Sequence, residues 1–107
     1  MKSSLHDFIL AWLNINTIEI TLIRQKQVID SWDLRSAIVE LESIAKIVNT
    51  TKWPSELAAQ VQGVVESLEE AIKTVRNKDS TRIKAAHTRL LSSVHSLRDA
   101  IRDNTAL

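Results

Sequence analysis

The sequence predicts an all-α protein: an up-down-up-down four-helix bundle built from two similar helical hairpins, with residues 1–107 forming a single domain. Three observations carry this prediction. Apolar residues recur at intervals of three and four almost from end to end, the period of a helix with one buried stripe. The chain holds one Gly, one Pro, no Cys and no Tyr, so it has little turn chemistry and few places to bend. At 107 residues and 44% hydrophobic content it can bury a core and is too apolar to stay disordered. Long helices with short connections bury their stripes only against each other.

The first helix is expected to start after Ser3 or Ser4, both good N-caps, and to run to about Val28. Its apolar residues, from Leu5 and Phe8 to Leu22 and Ile23, cover about two thirds of the helical wheel. One bundle core needs less than that. The excess predicts a second cover, and a second copy of the chain is the simplest. Leu10, Trp12, Leu13 and Ile20 are the expected homodimer interface, with Trp12 also fitting the core. Within this helix, Ile15–Ile23 is rich in β-branched residues, and Ile18-Glu19-Ile20-Thr21-Leu22 alternates like a strand. No partner strand exists elsewhere, and a lone strand would leave its backbone groups unpaired. The helix is therefore expected to continue, with Asn14–Asn16 as the place where a kink would fall.

The second helix is expected from Asp30 or Ser31 to about Val48, burying Leu34, Ala37, Ile38, Leu41, Ile44, Ala45 and Val48. Asn49–Trp53 reads as a loop, and Pro54 suits the first position of a third helix running to about Arg76. That helix buries Leu57, Val61, Val64, Leu68, Ala71, Ile72 and Val75. Asn77–Ser80 is the last turn. The fourth helix runs from about Thr81 to Arg102, burying Ile83, Ala86, Leu90, Val94, Leu97 and Ile101, and the tail Asn104–Leu107 is expected to fray. Shifted by 49 residues, Asp30-Ser31 falls on Asp79-Ser80, Ala37 on Ala86 and Leu41 on Leu90. Each hairpin thus presents an Asp-Ser pair as the opening of its second helix.

Composition closes off several functions. Without a Gly-rich loop there is no phosphate cradle of the P-loop or dinucleotide kind. Without Cys there is no thiol catalysis, disulfide or Cys-based zinc site. No apolar run approaches the roughly 18 residues of a membrane span, and Phe8–Leu13 lacks a leader's cleavage pattern, so the cytoplasm is the expected location. The net charge of +1 hides an asymmetry: residues 1–72 carry six basic and ten acidic side chains, residues 73–107 eight and three. On the last helix Lys84, His95, Arg98 and Arg102 share a flank, a candidate basic surface for an anionic partner. No aromatics interleave with it for base stacking.

Three polar residues interrupt the apolar stripes. Glu19 and Asn16 lie on the stripe of the first helix, and His87 lies between Ile83, Leu90 and Val94 on the fourth. The first and fourth helices are neighbours in this topology, so Glu19 could meet His87 inside. A buried carboxylate needs a partner, so the pair would fix register or form a small ligand or metal site. No Glu-x-x-His motif accompanies it, and no metal, cofactor or catalytic set is assigned.

Arg82-Ile83-Lys84-Ala85-Ala86-His87 resembles the Arg-x4-His motif of HEPN-type helical ribonucleases. That resemblance implies a small helical bundle cleaving RNA with Arg82 and His87 acting together. The match covers six residues, and Ile83 stands where a polar residue commonly follows the Arg. Arg89 and His95 fit an Arg-x5-His form equally well. On a continuous helix Arg82 and His87 sit about 140° apart, which separates rather than joins them. The favoured expectation is a non-catalytic interaction or scaffold module, homodimeric through its first helix. The alternatives are a nucleic-acid-associated helical protein and a bundle holding a small ligand. Trp32 and Trp53, near the starts of the second and third helices, are expected to pack the bundle ends or to meet a partner.

Overall fold

Ser4 opens the first helix with a reciprocal cap. Its hydroxyl accepts from the Asp7 backbone N–H at 3.2 Å, and its own N–H donates to the Asp7 carboxylate at 3.4 Å. Two of the helix's unpaired N–H groups are satisfied this way. In the computed structural model, which describes Ser3–Thr105, the chain forms four α-helices: α1 (Leu5–Asp30), α2 (Leu34–Thr50), α3 (Ala58–Arg76) and α4 (Ile83–Thr105). A 3-10 turn, Ser55–Leu57, leads into α3. Ala106 and Leu107, the end of the tail expected to fray, lie outside the described residues, while Asn104 and Thr105 continue α4.

Each helix packs on its chain neighbours, and α1 closes the ring on α4. The diagonal pairs make no comparable contact. The bundle measures 43 × 20 × 20 Å. Ile15, Ile18 and Leu22 of α1 meet Leu41 and Ile44 of α2, Val64 and Leu68 of α3, and Leu90, Leu97 and Ile101 of α4 in one continuous core. The four-helix bundle expected from the apolar period is the observed fold.

The β-branched stretch of α1 stays helical without a break through Asn14–Asn16. Ile15, Ile18 and Leu22 bury one face of it completely, and Thr17 and Thr21 donate to the carbonyls of Leu13 and Thr17, four residues back. The preference for a strand is weaker than the burial a helix provides.

The first turn lies three residues later than expected. Ile29 carries the buried stripe past Val28, so α1 runs on to Asp30 and Ser31 follows as its C-cap. Trp32 then takes a left-handed φ of 61°, the Asp33 N–H reaches back to the Val28 carbonyl, and Asp33 caps α2 by accepting from the Ser36 N–H. Hydrogen bonds from the Ser36 hydroxyl and then its N–H hold the Asp33 carboxyl below the usual carboxylate range. The turn after α3 repeats this: Lys78 is left-handed at φ 52°, and Asp79 N–H bonds the Thr74 carbonyl. Asp79 then accepts from the Thr81 N–H. The two hairpins therefore correspond at an offset of 46 residues, Trp32-Asp33 on Lys78-Asp79, rather than 49. Buried positions recur at both spacings because the stripe itself steps by three and four.

At the other end Trp53 is half-buried, and its indole N–H donates to the Val48 carbonyl at 2.9 Å, satisfying an unpaired group in the last turn of α2. Trp32 lies half-exposed at the opposite end. Gly63, within α3, has nothing within 4 Å of where a Cβ would stand. Gly63→Ala is expected to stabilise the fold by about 1 kcal/mol through helix propensity alone, read as a higher urea midpoint with an unchanged slope.

Candidate functional site

Two regions hold the residues singled out in the sequence: the polar groups between α1 and α4, and the outward face of α1. Between the helices, Glu19 and His87 do not meet. Glu19, with 14% of its side chain exposed, gives Oε2 to Arg98 at 2.7 Å and to His95 at 3.2 Å. His87 lies a turn or two away, buried, with Nε2 at 2.9 Å from the Leu22 carbonyl. A carbonyl only accepts, so Nε2 carries the proton. The wheel placed Glu19 near the core but could not choose between partners on α4. Residues 95 and 98 face the flank where Glu19 emerges, while residue 87 faces the core.

This arrangement is a structural tie. Arg98→Met is expected to cost about 1–2 kcal/mol, because it leaves a nearly enclosed carboxylate with a weaker partner. The double variant Arg98→Met, Glu19→Gln should cost less than Arg98→Met alone in urea unfolding. Equal costs would mean that the carboxylate is satisfied by water.

Every member of the candidate basic flank has an acid beside it. Lys84 lies 3.6 Å from Asp30, His95 and Arg98 share Glu19, and Arg102 lies 3.3 Å from Asp99. These four cations are thus set against acids of α1 and of α4 itself, while Arg89 on the same helix has no ion pair among the described residues. Arg82 sits in the turn before α4, 3.7 Å from Asp79, with its side chain largely in water, whereas His87 faces inward. The two halves of the Arg-x4-His motif are not brought together. Among the described residues no three His, Asp or Glu side chains gather as a metal site, and no helix is long and apolar enough to cross a membrane.

The sequence reading missed Gln25. It is fully buried on the α1 stripe, three residues after Leu22 and four before Ile29, and its Nε2 donates to the Ala37 carbonyl at 3.1 Å. Its spacing was the available signal. Ser67 was missed too: its hydroxyl meets that of Ser93 at 2.7 Å and bridges α3 to α4.

The outward face of α1 is the other region. Leu5, Ile9, Leu10, Leu13, Ile20 and Ile23 are all substantially exposed, Leu13 at 57% and Ile20 at 56%. Trp12 differs from its expected place in this set, being half-buried and packed against the core. Asn16, half-buried, lies on the same face and donates Nδ2 to the Trp12 carbonyl at 2.7 Å. Thr17 likewise bonds the Leu13 carbonyl at 3.1 Å. Both polar side chains thus spend a donor on their own backbone, and the face between them remains apolar.

What the fold defines is a class: an antiparallel four-helix bundle whose first helix is apolar on two sides. No protein-family model, curated protein or solved structure matches the chain.

Proposed function

We propose that this protein is a small non-catalytic interaction module that works as a homodimer through the outward face of α1. The observation that carries the reading is the run of six exposed Leu and Ile side chains on one helix. Together they leave on the order of 500 Å² of apolar surface open, a size of patch that on a soluble protein often serves binding. A standard interface buries about 800 Å² on each partner, and the flanks of α1 can supply the remainder. The cytoplasm is the compartment proposed, where a cysteine-free chain has no disulfide to lose. A reading as a nucleic-acid binder has less support, since Lys84, Arg98 and Arg102 of the expected basic flank are each beside a carboxylate.

Sedimentation equilibrium across a range of protein concentrations tests the proposal. A concentration-dependent dimer is expected. A strict monomer at high micromolar concentration would remove it.

A further inference from the structure

We infer that the two copies associate in parallel, with Asn16 of one chain facing Asn16 of the other. This inference rests on the dimer reading above. Along the exposed face the residues Ile9, Leu13, Asn16, Ile20 and Ile23 are spaced four, three, four and three apart. That is a heptad seam, in which each residue inserts between residues of a facing helix. The seam lies opposite the buried stripe of Ala11, Ile15, Ile18, Leu22 and Ile29, so a second α1 can approach without displacing α2 or α4.

Orientation follows from the polar groups. Asn16 occupies the middle of the seam, and its Oδ1 accepts no hydrogen bond among the described residues. In a parallel pair the two Asn16 residues occupy the same level of the seam, so their amides meet and can bond each other. In an antiparallel pair each Asn16 would be pressed against Leu13 or Ile20 of the second copy, burying an amide oxygen without a donor.

The flanking charges point the same way. Glu19 precedes the seam residue Ile20, and Arg24 follows the seam residue Ile23. In a parallel pair a residue on the first flank faces the residue five further on in the other chain, so Glu19 meets Arg24 of the second copy. Glu19 gives only Oε2 to Arg98 and His95, leaving Oε1 without a protein partner, and Arg24 has no acid within 4 Å among the described residues. An antiparallel pair would set Arg24 against Leu10, or beyond the end of the seam.

Single cysteines test this cleanly, because the chain has none of its own. Ile9→Cys and Ile23→Cys are each expected to form disulfide-linked dimers rapidly in a glutathione redox buffer, since in a parallel pair each thiol lies beside its own copy. Both sites are exposed, so folding is not at risk. In an antiparallel pair the two positions lie at opposite ends of the seam. Neither variant would then link to itself, and only a mixture of the two would cross-link. A dimer by sedimentation with that mixed-only pattern, or with no cross-link at all, overturns the parallel arrangement and leaves the dimer standing. A monomeric wild type overturns both. Arg24→Glu is expected to weaken the dimer roughly fivefold, losing two symmetry-related pairs, and an unchanged affinity counts against the register.

Discussion

Glutamate at both Leu13 and Ile20 is expected to leave the chain folded and monomeric. Each site is more than half-exposed in the single bundle, so a carboxylate there stays hydrated and the fold changes by about 0.5 kcal/mol or less per site. Association would instead bring four carboxylates into one apolar seam. Burying an unpaired charge costs several kcal/mol, and each 1.4 kcal/mol is tenfold in affinity, so the dimer should weaken by at least a hundredfold. Two measurements check this together. Sedimentation velocity should give a monomer, and far-UV circular dichroism should show an unchanged helical spectrum. The melting temperature adds a third readout. It should rise with protein concentration for the wild type and be independent of it for the variant. A Leu13→Glu, Ile20→Glu chain that stays dimeric would place the interface elsewhere on the molecule.

The second large effect comes from the opposite side of the same helix. Leu22 has no exposed surface and stands where α1 faces the centre of the ring. Leu22→Ala is expected to cost about 3 kcal/mol, with a range of about 2–5 set by how far the core collapses into the vacancy. For a domain of this size that lowers the melting temperature by roughly 10–20 °C. Leu13→Ala, nine residues earlier, removes the same atoms from a water-facing position and should change folding by about 0.5 kcal/mol or less. Its effect should appear in dimer affinity instead. If the two substitutions cost the same in urea unfolding of the monomer, the division of α1 into an inner and an outer face is wrong.

That division shows what could be read in the sequence. The stripes of α2, α3 and α4 lie where the three-and-four spacing placed them, because one buried face per helix leaves one solution. On α1 the spacing gave too many apolar positions and no means of choosing which of them face inward. Trp12 belongs to the core edge, and Ile23 to the outer face, although both sit near Glu19 on the wheel. Helix ends were less legible than helix faces. Asp30-Ser31 looked like a cap, but the buried Ile29 prolongs α1, and the true cap is Asp33, placed by the left-handed Trp32. A non-glycine residue in that conformation leaves no composition signal. The Glu19 partner was undecidable for a different reason. It depends on the rotation of α4 about its own axis, which pairwise packing sets and sequence spacing does not.

The closure of α1 on α4 also bears on how the chain must be made. Asp30, at the end of α1, precedes Thr105, at the end of α4, by 75 residues. At about 5–20 residues per second, a ribosome needs roughly 4–15 s to supply the helix that completes the inner groove of α1. During that interval α1 can fold as a hairpin with α2, yet its α4-facing flank and its outer seam both stay wet and apolar. Neighbouring nascent chains on one message would present the same seam to each other before either bundle had closed. The synthesis order therefore makes α1 the segment most in need of shielding by a chaperone or of prompt pairing between chains.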